Sequence, residues 1–106
     1  MRIIGIDPGS RTTGYGLIDC DGPRVQVVRW GCITSRANRP LPDRLLRLYE
    51  SLAAIFSEAQ PQVTAVENVF HAHYARSALI LGHARGVALL AAAQAGVEVV
   101  TYSPLE

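Results

Sequence analysis

The sequence predicts an α/β domain on a mixed five-stranded sheet, an antiparallel three-strand meander followed by two parallel strands reached through right-handed crossovers. Three observations carry this. Short β-branched runs broken by Gly and Pro come first. From Asp43 the apolar period lengthens to that of a helix. Between two helical stretches lies Val63-Thr64-Ala65-Val66-Glu67, too apolar to alternate, as a strand buried on both faces reads.

Arg2 to Asp7 is the first strand, ended by Pro8-Gly9. Tyr15 to Cys20 and Val25 to Thr34 are the next two, joined by the turn Asp21-Gly22-Pro23. The stretch from Arg36 to Pro42 carries two prolines and reads as a loop. The first helix follows, with Leu45, Leu48, Tyr49, Leu52, Ile55 and Phe56 on one face and Arg44, Arg47, Glu50 and Glu58 off it. Pro61 closes it and opens the fourth strand, Val63 to Glu67. A polar loop from Asn68 to Tyr74 leads to a second helix, about Ala75 to Ala95, capped by Gly96. Val97 to Tyr102 is the fifth strand. Ser103-Pro104-Leu105-Glu106 stands where this pattern would start another helix, so the chain reads as one domain, residues 1–106, truncated at its C-terminus.

The composition narrows the function classes. The 106 residues are 49% hydrophobic, which excludes a disordered tail. Ten basic against nine acidic side chains give a net charge of +1, which excludes a polybasic arm but leaves room for a local basic patch. Every basic residue is Arg, whose planar fork suits phosphate oxygens. Cys20 and Cys32 are too few for a disulfide framework or a structural zinc site and read as reduced, half-buried thiols of a cytoplasmic protein. The N-terminal apolar run is too short for a signal peptide. The stretch from Ala78 to Ala95, mostly alanine and interrupted by Gly82, His83, Arg85 and Gly86, reads as a buried helix and not a membrane span. Trp30 is expected to pack on the sheet face, without a role.

Chemistry concentrates at two strand ends. Asp7 lies at the carboxyl end of the first strand, the edge where open α/β sheets place ligands. Gly9 and Gly14 let a backbone approach closely, and Ser10, Thr12 and Thr13 offer hydroxyls to phosphate. No Gly-Lys-Ser/Thr follows, so this is not a P-loop, and plain turn chemistry would also explain Asp-Pro-Gly. Glu67 ends the buried fourth strand. Two carboxylates at one end of neighbouring strands need a partner, and a divalent cation such as Mg²⁺ is the usual one. Two such ions clamp the attacking and leaving oxygens of a phosphodiester displacement. Without that neighbour, Glu67 is a surface carboxylate past a strand end.

Phe70, in the loop with Asn68, His71, His73, Tyr74 and Arg76, could stack on an unpaired base or fold back into the core. His71-x-His73 alone is weak evidence for zinc. Ala78, Gly82 and Gly86 recur at four-residue spacing and let a second backbone come close, either the sheet beneath or the same helix of another subunit. Arg85, a permanent charge in the middle of that helix, needs an acidic partner or water.

Three blocks together resemble the RuvC family of Holliday junction resolvases. They are Ile4-Gly5-Ile6-Asp7-Pro8-Gly9-Ser10-Arg11-x-Thr13-Gly14-Tyr15-Gly16, Glu67-x-Val69-Phe70, and Ser77-Ala78-Leu79-x-Leu81-Gly82-x-Ala84-Arg85-Gly86. The resemblance runs in order along nearly the whole chain. It implies a ribonuclease H-like fold, a homodimer, for which the small-residue stripe Ala78, Gly82 and Gly86 is the expected interface, Mg²⁺-dependent symmetric nicking of four-way junction DNA in recombination and repair, and the branch-migration complex RuvAB as partner. It assigns Asp7 and Glu67 as catalytic acids and metal ligands for two ions. Phe70 becomes the base-contacting aromatic; beside it, Ser10, Arg11, Thr13, Asn68, His73 and Arg76 are expected as further DNA contacts from their place in the two polar loops. His83 stands where the family usually has Gln, and the loop His71-Ala72-His73-Tyr74 differs from its common form. The family's remaining carboxylates lie in a C-terminal helix beyond these residues, so the chain by itself is expected to be inactive.

Two other readings stay open. Asp-x-Gly-Ser/Thr after a first strand and before a hairpin also opens the actin, Hsp70 and sugar-kinase ATPase fold. A non-catalytic junction-binding or dimerisation module is the other.

Overall fold

The computed structural model of the chain describes residues 1–9, 11–36, 38–68 and 75–103. Its elements run β1 (Arg2–Asp7), β2 (Thr12–Asp21), β3 (Arg24–Thr34), α1 (Leu41–Ala59), β4 (Val63–Glu67), α2 (Ala75–Gln94) and β5 (Glu98–Tyr102). The sheet order is β3-β2-β1-β4-β5, with β1 antiparallel to β2 and parallel to β4, and β4 parallel to β5. This is the mixed meander-plus-crossover sheet that the sequence predicts.

Local chemistry explains the boundaries. The β2–β3 hairpin turns on Gly22-Pro23, with Gly22 at φ +59°, the positive angle a type II′ turn needs at its first central position. Helix α1 begins at Leu41, two residues before the expected start, because Pro42 is well placed in a first turn, where its missing N–H costs nothing. It stops at Gln60, whose left-handed φ of 50° lets its N–H donate to the Phe56 carbonyl at 2.9 Å before Pro61 ends the run. Helix α2 closes on Gly96, with Gly96 N–H to the Ala93 carbonyl and Val97 N–H to the Ala92 carbonyl, both 3.0 Å, a Schellman motif.

The two helices pack together on one face of the sheet. The core between them and the strands is Ile4, Ile6, Leu17, Ile33 and Val66 below, with Leu48, Leu52, Ile55 and Phe56 of α1 and Ala84, Ala88, Ala91 and Ala92 of α2 above. Alternation along β1 and β4 then sends Gly5, Asp7, Ala65 and Glu67 to the opposite face, which no described helix covers. Trp30 stands on that face, in the cross-strand row Trp30–Gly16–Gly5–Ala65–Val100, and is 77% exposed. The glycines beside it give its indole nothing to pack against, so the expected packing is not made. Cys32 is likewise exposed and only Cys20 half-buried.

Helix α2 is a one-faced helix and not a buried one. By length and apolar composition it would pass for a bilayer span, yet it is the crossover between β4 and β5, with its alanine face buried. Leu79 and Leu90, on its other side, are 64% and 56% exposed.

Candidate functional site at the carboxyl edge of the sheet

The parallel register of β1 and β4 decides whether the two predicted acids meet. Ile6 pairs with Val66, and both are buried under the helices. The next residues along each strand are Asp7 and Glu67, side by side at one strand spacing, about 4.8 Å between backbones. Both project to the open face, Asp7 exposed and Glu67 half-buried. The row continues on either side as Cys32–Gly14–Asp7 and Glu67–Tyr102. A hollow of about 340 Å³ lies beside Asp7, floored by Gly5, Gly14 and Gly16 and edged by Tyr102. The missing Cβ atoms keep this face low enough for a bulky ligand to reach the carboxylates.

The segment after Asp7 folds tightly. A Cβ on Gly9 would sit 2.0 Å from the Thr12 carbonyl oxygen, so only glycine fits. The Gly9 N–H donates to Thr13 Oγ1 at 3.4 Å. Thr13 is buried, its side chain on the helix-covered face, so its hydroxyl holds this loop and does not face a phosphate, contrary to the sequence expectation. Gly14 makes no close approach: a Cβ there would lie 3.9 Å from Asp7 Cβ, an ordinary contact.

The end of β4 is pinned from α2. Arg85 Nη2 donates to Asn68 Oδ1 at 2.6 Å and Arg85 Nε to the Glu67 carbonyl at 3.3 Å. The Asn68 N–H donates to the Tyr102 carbonyl at 2.7 Å, extending the β4–β5 ladder past Glu67. Arg85 therefore satisfies itself on neutral oxygens, with no acidic partner in these bonds. Asn68, expected as a DNA contact, has its amide oxygen committed to that clamp.

Of the other predicted residues, Arg11 and Arg76 are exposed, Arg76 in the first turn of α2. Ser10, Phe70 and His73, with His71 and Tyr74, lie outside the described residues. Ala78, Gly82 and Gly86 are exposed on α2, and among the described residues nothing lies within 4 Å of a Cβ built on either glycine. The sheet is thereby excluded as the backbone they admit.

Among the described residues no group of three metal-ligating side chains occurs. Asp7 and Glu67 fit a hard divalent cation by chemistry, as two carboxylate donors on one face, while leaving most of such an ion's oxygen positions to other ligands. Sequence reasoning did not single out Tyr102. Its place beside Glu67 follows from the β4–β5 register, which a run of five apolar-rich residues does not encode by itself.

The geometry has counterparts among known proteins. The family model for the crossover junction endodeoxyribonuclease RuvC matches residues 3–106. Curated RuvC proteins from Chloroflexus aggregans and Anaeromyxobacter sp. are 48% and 49% identical over 98% and 100% of the chain. The chain spans 63% and 52% of their lengths, so roughly half to two thirds of the relatives it matches. A solved structure of T. thermophilus RuvC in complex with a Holliday junction substrate superposes with a TM-score of 0.93 at 27% identity, covering 99% of this chain and 67% of that one. The yeast mitochondrial Holliday junction resolvase Ydc2 shares the fold at a TM-score of 0.72 and 14% identity. The fold is the ribonuclease H-like one, and against the ATPase reading stands a family match over nearly the whole chain.

Proposed function

Because the chain belongs to the RuvC family of crossover junction endodeoxyribonucleases, we propose that it forms the nuclease domain of an enzyme that resolves four-way DNA junctions by symmetric phosphodiester hydrolysis. The observation that carries this is the register of β1 and β4, which sets Asp7 beside Glu67 on the uncovered sheet face.

Asp7 and Glu67 would hold Mg²⁺, which when bound supplies charge to polarise the scissile phosphate and activate a water. What the chain itself contributes is placement. The buried pair Ile6 and Val66 fixes the two strands under the helices, Gly9 and Thr13 hold the loop after Asp7, and Arg85 with Asn68 fixes the backbone that carries Glu67. The glycine floor leaves room for a sugar–phosphate strand to lie across the edge. Two carboxylates are too few to fix two ions, so residues 1–106 alone should fold without nicking junctions at physiological Mg²⁺.

DNA contact is assigned to Phe70, by stacking on a base exposed at the crossover, with Ser10, Arg11, His73 and Arg76 toward phosphates. The partner subunit is a second copy docked on α2. Leu79, Gly82, His83, Gly86 and Leu90 make an exposed stripe at helical spacing, and its glycines permit close backbone approach. RuvAB as partner and a cytoplasmic location belong to the same reading.

The test is cleavage of a labelled junction by full-length protein. Asp7→Asn or Glu67→Gln should abolish nicking while junction binding stays within a few-fold, since the phosphate-contacting surface is untouched. Nicking by Glu67→Gln at a near wild-type rate in Mg²⁺ would overturn the assignment. Phe70→Ala should weaken junction binding or slow nicking without lowering the melting temperature, whereas a large loss of stability would place Phe70 in the core.

A further inference from the structure

The corner between β3 and α1 gathers arginines that no role above uses. Arg36 and Arg39 come from the connecting segment, Arg44 and Arg47 from the first turns of α1, and together with Ser35 they line a cleft of about 490 Å³. Arg11, across the adjoining cavity, shares Arg44 and Ser35 as neighbours. The one acidic side chain lining the cleft is Asp43. It sits in the first turn of α1, where the helix dipole favours a carboxylate, and the four arginines leave the cleft strongly positive.

The cleft is built as well as charged. Arg47 Nε donates to the Thr34 carbonyl at 2.8 Å and Arg44 Nε to Ser35 Oγ at 3.3 Å, so the last residues of β3 hold both guanidinium stems. Arg47 retains four of its five donors for a ligand. Arg36 and Arg39 are exposed and have no side-chain hydrogen bond or ion pair among the described residues. Helix α1 starts on Pro40 with no side-chain cap, which leaves its first N–H groups without a side-chain acceptor at the mouth of the cleft.

Its position matters most. Thr34 pairs with Thr12, and Cys32 with Gly14, which pairs with Asp7. The cleft therefore lies at the same edge of the sheet as the two acids, on the side of α1, and its Thr34 is two strands and two residues from Asp7, about 12 Å. That distance matches three to four nucleotides of helical rise along one strand, about 3.4 Å each.

We propose that the β3–α1 cleft is a second phosphate-binding station, which takes the sugar–phosphate backbone of the DNA arm running away from the scissile bond at Asp7 and Glu67. This rests on the nuclease reading above and adds to it a track by which the β3 side of the domain sets the direction of the arm. Arginine forks match phosphate oxygens bidentately, and each neutralised phosphate releases condensed counterions.

The experiment is the salt dependence of junction binding, measured by anisotropy with a labelled four-way junction, for wild type, R36A/R39A, R36K/R39K and R24A. Arg24 lies at the opposite end of the sheet, beside the β2–β3 turn, and shows what the loss of one charge away from the cleft does. Removing two phosphate contacts should lower the slope of log K against log salt by about 1.8. Wild type should then lose about tenfold more affinity than R36A/R39A between 50 and 200 mM salt. The lysine pair should restore most of the slope, and R24A should keep the wild-type slope. An unchanged slope in R36A/R39A, or a fall in R24A of half the size seen in the double variant, overturns the cleft. In either case wild type that still binds the junction, with nicking that still depends on Glu67, leaves the nuclease reading standing. Wild type that binds no junction at low salt overturns both.

Discussion

The clamp that Arg85 makes across the end of β4 can be taken apart quantitatively. Arg85→Ala removes a short charge-assisted bond to Asn68 Oδ1, 2.6 Å, and a long, weak one to the Glu67 carbonyl, 3.3 Å. Hydrogen bonds from a charged donor contribute about 1.5–3 kcal/mol each when well made. The site is only partly buried and the second bond is poor, so the loss should be about 1–2 kcal/mol. The fold should survive, because the Asn68 N–H still donates to the Tyr102 carbonyl and Val66 remains buried. A domain of this size loses roughly 4–8 °C of melting temperature per kcal/mol. Calorimetry of wild type, R85A, N68A and the double variant closes a cycle in which the two single losses should not add, with a coupling of about 1 kcal/mol. Additivity within ~0.3 kcal/mol would show that Arg85 and Asn68 do not act as a unit, and the account of how Glu67 is held would be wrong.

Two further perturbations probe the scaffold. Thr64 is fully buried between Ile4 and Val99 in the sheet, and its Oγ1 has no hydrogen-bond partner among the described residues, so Thr64→Val should raise the melting temperature by roughly 4–8 °C, corresponding to about 1 kcal/mol, and a fall would show an unseen partner. The Arg2 guanidinium bonds Asp19 through two N–H groups at 2.9 and 3.0 Å, and this holds the Asp19 carboxyl below the ordinary carboxylate range. A depressed carboxylate contributes stability above its unfolded pKa of about 3.9 that is lost as pH falls through the folded value. Urea melts from pH 6 to 2 should therefore show a steeper acid limb for wild type than for Asp19→Asn, and equal limbs would refute the pairing.

Much of the fold was legible because period and punctuation coincide. The run from Arg2 to Asp7 ends at Asp-Pro-Gly, and β1 ends there; Val63 to Glu67 reads as a strand, and β4 has those bounds, but the expected burial on both faces is not met, since only Thr64 and Val66 on the helix side are buried. The two acids were legible for the same reason, since each is the last residue of a strand whose end the sequence marks. What was not legible depends on contacts between segments far apart in the chain. Thr13 looks like a phosphate ligand until the β1–β2 pairing turns it under α1, and Arg85 finds neutral acceptors on β4, 17 and 18 residues away. Trp30 reads as a packing residue because a sequence does not say which sheet face lacks a cover. The arginines at the β3–α1 corner were dispersed between a proline-rich loop and the polar side of a helix, and only the turn of the chain brings them together.

The proposed cation site is shared by Asp7 and Glu67, on neighbouring strands at the edge of the sheet. Paramagnetic broadening by Mn²⁺, which shares the oxygen-ligand preference of Mg²⁺, tests it on the 106-residue chain without any need for cleavage. In ¹⁵N spectra the amides around Asp7 and those around Glu67 and Asn68 should broaden together at low Mn²⁺, and excess Mg²⁺ should restore them. Glu67→Gln should abolish the broadening at Asp7 as well, while Glu98→Gln, at the other end of the parallel strands, should not. Broadening at Asp7 that persists undiminished in Glu67→Gln would contradict the shared site.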